Sequence, residues 1–329
     1  MPTILVTGGL GFIGAAYVNH LCATRDGWTV AILDAQFYAA HRGRLAPQAR
    51  RSVRFIQCTL ASWSRILDEL QRLDVLEVVH FAANSHVSTS FLNPLEFTTD
   101  NLLGTHTLLE CCRLYGKLGR IVVVSTDEVY GDSPPDAAPL TEDSALRPNN
   151  PYAASKAAAD LMAQTYAKCY HLPIVITRSN NVIGPLQHSE KLVPAVMARI
   201  RAGQRALVEG DGTQLRAFVY VDDVVAAIDL VRTRGQLGQV YNIAGACEHS
   251  VLGLVEAVLA ELRPGERLQD WTEFVPDRLY QDKRYFVSAA KLHALGWKPQ
   301  VSLPEAIARI AQANLHTEPS VTGDSDVTW

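Results

Sequence analysis

Polar and apolar positions along this chain fall into two regimes. Up to about residue 179, short apolar runs rich in valine and isoleucine recur: 3–8 (TILVTG), 29–34 (TVAILD), 53–58 (VRFIQC), 75–83 (VLEVVHFAA), 120–126 (RIVVVST) and 173–179 (PIVITRS). Helix-length segments separate them at 11–24, 62–73, 95–115 and 151–170. A run without polar alternation suits a strand buried on both faces. Such strands alternating with helices form a parallel sheet covered on each side. The pattern predicts an α/β chain with a Rossmann-like, doubly wound parallel sheet.

Beyond Ser179 the regularity fades. Helices are expected at 192–202, 223–234, 250–262 and 303–313, and 240–244 (VYNIA) reads as one more buried strand. The expected division is a first domain over 1–178, joined by the strand near 240–244. A smaller, partly interleaved C-terminal domain over 179–315 and a polar tail over 316–329 follow.

Composition narrows the function. The chain has 329 residues, 48% hydrophobic and 19% charged, with net charge −4. That sustains a large core and offers no basic run for nucleic acid or an anionic membrane. The first strand starts at Thr3, which leaves no span for a signal peptide, and no apolar run is long enough for a membrane helix. The cysteines (22, 58, 111, 112, 169 and 247) show no CxxC spacing, so reduced structural thiols, no metal and a cytoplasmic location are expected.

Three motifs carry chemistry. The glycines of VTGGLGFIG (Gly8, Gly11, Gly14) follow the first strand and open a helix. This context lets backbone N–H groups approach a pyrophosphate at the helix's positive end. Asp34 closes the second strand, where a carboxylate accepts from ribose hydroxyls and repels a 2′-phosphate, so NAD is favoured over NADP. In NPYAASKAAAD, Tyr152 and Lys156 share one helix face, and a nearby ammonium favours a phenolate. The strand RIVVVST runs into Asp127 and Glu128. Taken alone these carboxylates are either a solvated loop or an acid/base pair.

In family order from residue 3 to about 298, these motifs resemble those of the extended short-chain dehydrogenase/reductases, and more narrowly the nucleotide-sugar 4,6-dehydratases. STDEVYG (125–131) is the most specific. VVHFAANSHVSTS, NLLGTHTLLE, SNNVIGPLQHSEKLVP, GDGTQLRAFVYVDDV and DRLYQDKRYFVSAAKLHALGW add to it. The resemblance implies NAD as cofactor, a nucleotide-sugar substrate and a homodimer paired through helices 95–115 and 151–170. It implies Tyr152 as the base at the sugar O4, Lys156 at the nicotinamide ribose lowering the Tyr152 pKa, and Thr126 at the O4 region. Glu128 would remove the C5 proton and a protonated Asp127 would protonate the departing C6 hydroxyl.

Cofactor contacts are implied for Gly8, Gly11, Phe12, Ile13, Gly14, Asp34, Thr59, Leu60, Ala82, Ala83, Ser179 and Asn180. Substrate contacts are implied for His86, Asn181, Glu190, Lys191, Leu192, Arg216, Asn242 and Arg278. His80 reads as a packed core histidine. The chain departs from bacterial dTDP-glucose enzymes at Cys58-Thr59-Leu60, at Val182-Ile183 and at Gln281. The last two look more like UDP-glucose 4,6-dehydratases of plant-type rhamnose synthesis, so UDP-glucose is the first expected substrate and dTDP-glucose the second. The alternatives are a UDP-sugar 4-epimerase or decarboxylase, and a non-catalytic NAD-binding regulator. The short stretch after residue 315 is expected to leave no fused reductase.

Overall fold

The computed structural model describes residues 1–25, 27–134, 136–277 and 279–315. Its strands are β1 (Thr3–Thr7), β2 (Thr29–Asp34), β3 (Arg54–Gln57), β4 (Val75–His80), β5 (Arg120–Thr126), β6 (Ile174–Ser179), β7 (Asn181–Ile183), β8 (Ala206–Glu209), β9 (Leu215–Tyr220), β10 (Val240–Ile243), β11 (Glu248–Ser250) and β12 (Thr272–Val275). Seven of them form one sheet in the order β10-β6-β5-β4-β1-β2-β3, with every pair parallel.

Alternate residues explain the unbroken apolar runs. Ile4, Val6, Ile32, Val122 and Val124 pack into the core on one face. Leu5, Ala31, Leu33, Ile121 and Val123 pack into the core on the other. Both faces are dry, so polar alternation would place a side chain in apolar surroundings. A third apolar cluster joins the helices Leu192–Arg201, Val251–Leu262 and Leu303–Leu315 through residues such as Met197, Leu254 and Ile307. Two small sheets, β11-β9-β7 and β12-β8, accompany it. The sequence pattern does not reveal these short strands, because segments such as Glu248–Ser250 are only three residues long and wholly polar.

The segment 95–115 is not a single α-helix. Thr98–Leu103 is wound as a π-helix between Pro94–Phe97 and Gly104–Tyr115. The wide turn buries Asn101, whose Nδ2 donates to the Asn84 carbonyl and to Ser155 Oγ, both at 2.9 Å. Asn101 thereby clamps the loop after β4 to the Pro151–Tyr170 helix, a functional placement typical of such turns. His80 is a core residue as expected, bonded to Thr7 and Thr105 hydroxyls. The tail 316–329 lies outside the described residues. Among the described residues no helix is long and apolar enough to cross a membrane.

Candidate active site

The strand order reverses between β1 and β4, and the strand ends there open a crevice. At one end a cavity of about 150 Å³ is lined by Gly8, Gly11, Asp34, Thr59, Leu60, Ala82 and Ala83. A middle section of about 260 Å³ adds Phe12, Ile13, Gly14, Thr126, Asp127, Tyr152, Lys156, Ser179 and Asn180. The far section, about 410 Å³, is lined by His86, Asn181, Glu190, Lys191, Leu192 and Arg216. Ser85 lines all three sections, and Glu128 lines the last two, so they form one continuous cleft.

The dinucleotide end follows from backbone demands. Gly8 has φ +68°, and a Cβ there would sit 2.6 Å from the Ala82 nitrogen. A Cβ on Gly14 would overlap the Gly8 carbonyl. Only glycine lets the loop press against the β4 loop while the Phe12–Thr24 helix points its positive end into the cleft. Asp34 accepts from Leu10 N at 3.0 Å and Gln36 N at 2.8 Å, which fixes its carboxylate at the cleft wall. Burial raises its pKa, while those bonds and Arg44 oppose the rise. Deeper in the cleft, the buried Ser125 Oγ has no hydrogen-bond partner among the described residues. A bare glycine cradle, a wall carboxylate and an unpaired hydroxyl on the floor fit NAD.

The catalytic candidates converge where β5 and β6 end. Thr126 donates to Asp127 Oδ1 at 3.1 Å and accepts from Glu128 N at 3.3 Å. Asn180 Nδ2 donates to Asp127 Oδ2 at 2.6 Å. Burial, then the Glu128 charge, pushes the Asp127 carboxyl up to about 7, against the Asn180 and Thr126 bonds. Glu128 is also raised by burial, but Asn150, Arg216 and Lys191 pull its pKa down. One carboxyl is therefore ready to hold a proton at neutral pH, while its neighbour faces two cations and an amide donor. Such unlike surroundings separate an acid from a base.

Asn150 is the hinge of this arrangement. Its Oδ1 caps the Pro151–Tyr170 helix on Ala153 N at 2.8 Å, and its Nδ2 donates to Glu128 Oε2 at 3.2 Å. The same helix carries Tyr152 and Lys156 into the cleft. Lys156 Nζ donates to the Val124 carbonyl at 2.8 Å, and burial lowers its pKa to about 8 against the Asp160 charge.

Two expectations change, and one falls where the structure gives no description. The resemblance implies that Lys156 lowers the Tyr152 pKa, yet the phenol is pushed well up, by burial first and then by the Glu128 charge. Its bond to Thr126 opposes this, Asp127 adds to it, and Lys156 does not enter. Asn242 is not at the cleft: it is fully buried beside β6, accepting from Tyr130 OH at 2.8 Å and donating to the Ser288 carbonyl at 3.1 Å. Its strand neighbours face the core, and its polar side chain completes a buried network with Arg178. Arg278 lies outside the described residues.

Sequence reasoning missed Ser85, Asn150, Tyr38, Arg44, Asp282 and Tyr285. Asn150 was legible as an asparagine before a proline at a helix start. Tyr38 OH reaches Glu190 Oε1 at 3.1 Å, and Arg44 Nε reaches the Leu186 carbonyl at 2.9 Å. Both arise from a loop that the sequence leaves irregular.

The glycine cradle, the wall aspartate and the Tyr152/Lys156 pair on one parallel sheet define an NAD-dependent short-chain dehydrogenase/reductase of the extended type. The GDP-mannose 4,6 dehydratase family model matches residues 5–310, and the chain belongs to that family. It is 37% identical to the dTDP-D-glucose 4,6-dehydratase of Mus musculus over 315 residues, covering 94% of this chain and 87% of that protein. It is 35% identical to a trifunctional UDP-glucose 4,6-dehydratase/UDP-4-keto-6-deoxy-D-glucose 3,5-epimerase/UDP-4-keto-L-rhamnose-reductase of Arabidopsis thaliana, covering 93% of this chain. There the chain spans only 46% of the relative's length. The crystal structure of DesIV, the dTDP-glucose 4,6-dehydratase of Streptomyces venezuelae with NAD and TYD bound, superimposes with TM-score 0.90 at 39% identity, covering 95% of this chain and 97% of that one.

Proposed function

We propose that the protein removes water from an NDP-glucose to give the NDP-4-keto-6-deoxy sugar, with UDP-glucose the first substrate and dTDP-glucose the second. The observation that carries this reading is the meeting of Tyr152, Asp127 and Glu128 in one cleft, with the two carboxyls in unlike surroundings. Bound NAD would supply the hydride acceptor for the sugar C4 and the hydride donor for C6. Gly8, Gly11 and Gly14 would hold its pyrophosphate, and Asp34 its ribose.

Tyr152 takes the O4 proton. Its raised pKa means that bound NAD would have to favour the phenolate through its cationic nicotinamide ring. The resulting C4 ketone acidifies the C5 proton, which Glu128 removes. Asp127 gives its proton to the C6 hydroxyl, which leaves as water. Thr126 links all three groups and holds the O4 region. Arg216 and Lys191 border the far section of the cleft, where they suit the sugar diphosphate.

Val182, Ile183 and Gln281 support UDP-glucose over dTDP-glucose. A homodimer belongs to this reading, supported by exposed Leu92 and Leu95 (80% each) in the short helices Val87–Leu92 and Pro94–Phe97 and by exposed Leu161 on the Pro151–Tyr170 helix. A cytoplasmic location belongs to it too, supported by the free cysteines. Side-by-side rates on UDP-, dTDP-, GDP- and CDP-glucose test it, with product mass as the readout. A product lighter by one water is expected. An isomer of unchanged mass would make the protein a 4-epimerase.

A further inference from the structure

Beside Glu128 lies a second buried pair that the scheme above leaves unused. Tyr285 OH is 2.6 Å from Asp282 Oδ2 and 3.4 Å from Glu128 Oε2. A phenol has one proton, and the shorter contact takes it. The other Asp282 oxygen accepts from Asn149 Nδ2 at 2.6 Å, so this carboxylate is held from two sides. Asp282 and Tyr285 are 2% and 6% exposed. The Arg216 guanidinium lies 4.7 Å from the Tyr285 ring centre and donates to the Asp282 carbonyl at 2.7 Å, which keeps the ring from turning. With its proton on the Asp282 side, the phenol oxygen presents a lone pair to Glu128. That lone pair repels a carboxylate and accepts from a carboxylic acid.

Resting on the dehydratase reading, we propose that Tyr285, oriented by Asp282, is a positioning residue for the elimination base. It accepts a hydrogen bond from the protonated Glu128 that forms as the C5 proton leaves, and so strengthens Glu128 as a base. The C5–H electrons become the C5–C6 double bond as the C6–O bond breaks. The C5 proton ends on Glu128, and the Asp127 proton leaves with the hydroxyl as water. Tyr285 and Asp282 keep their own protonation throughout. The other groups facing Glu128 divide cleanly: Asn150, Arg216 and Lys191 favour its charged form, the Asp282 charge favours its protonated form, and neighbouring Asp127 holds its own proton at this step. Tyr152, neutral, sits on the same cleft wall.

Tyr285→Phe keeps the ring under Arg216 and removes the lone pair. In a single turnover with UDP-glucose, cofactor reduction should stay within about two-fold of wild type while water loss slows about 10- to 100-fold. Glu128 loses the group that favours its protonated form, so its pKa falls and the low-pH limb of kcat moves to lower pH, with KM nearly unchanged. Asp282→Asn, whose amide oxygen still accepts from the phenol, should lose less and retain deuterium uptake from solvent at C5. Thermal melting checks that each variant folds, and either one alone decides the matter. A normal kcat with an unmoved low-pH limb, or an equal loss in oxidation and elimination, would overturn the role. Failure of the wild-type protein to lose water from any NDP-glucose would instead overturn the dehydratase reading itself.

Discussion

Asn180 donates from Nδ2 to Asp127 Oδ2 at 2.6 Å, while its own Oδ1 accepts from Gly245 N at 3.1 Å. The amide is thus pinned by the chain leaving β10 and pins in turn the carboxyl at the end of β5. Thr126 and Ser179 are register partners, so the parallel sheet itself sets this contact. Asn180 favours the carboxylate form, yet burial and Glu128 prevail and push the carboxyl up to about 7.

The pH profile of product formation follows. Water loss requires a protonated Asp127, so kcat should fall as pH rises through about 7. It also requires a charged Glu128, which gives an acid limb. Asn180→Ala removes a donor that favours the carboxylate, so the alkaline limb should move to higher pH. Steady-state rates across pH, taken at saturating substrate, measure the shift.

Asp127→Asn should trade activity for stability. The folded-state pKa lies above the ordinary 3.8, near about 7. The folded protein therefore binds the extra proton: that contribution is complete below about pH 4 and is lost as pH rises through 7. Removing the charge should stabilise the protein by roughly up to 4 kcal/mol above pH 7, and by nothing below about pH 4. Denaturant unfolding at the two extremes checks the sign. In turnover, the variant should oxidise C4, accumulate bound reduced nicotinamide and lose water about 10²–10⁴-fold more slowly.

Tyr152→Phe removes the O4 base without touching the glycine cradle or Asp34. The rate should drop by orders of magnitude while NAD affinity stays nearly intact. Product assays beside a cofactor titration separate the two effects, and near wild-type turnover would remove Tyr152 from the reaction.

Cofactor choice rests on Asp34. Its carboxylate, fixed by two backbone N–H groups, would face the 2′-phosphate of NADP with like charge. Binding titrations should show a wide preference for NAD, and equal affinities would contradict the assignment.

The buried pair Arg178–Asp160 should matter for stability. Arg178 donates to both Asp160 oxygens at 2.9 Å and to Tyr130 OH at 2.7 Å. Asp160→Ala leaves a buried guanidinium without its counter-charge, a loss of about 3–5 kcal/mol. The denaturant midpoint should fall accordingly.

The sequence by itself determined the scaffold and the chemical inventory. Unbroken apolar runs allow only strands buried on both faces, and the order of glycine loop, Asp34, Asp127-Glu128 and Tyr152/Lys156 follows the strand ends that carry them. These are local signals, written in neighbouring residues. Which groups would face each other was decided by tertiary structure. Asn242 carries a polar side chain on a buried strand, and only the packing of Tyr130 and Arg178 turns it away from the cleft. Lys156 shares a helix face with Tyr152, but burial and two carboxylates just beyond the end of β5 decide the phenol's pKa. Asp282 and Tyr285 lie more than a hundred residues from Glu128, and no spacing rule links them. Their contact, and the proton affinity of the base, exist only because the late segment folds back across the end of β5.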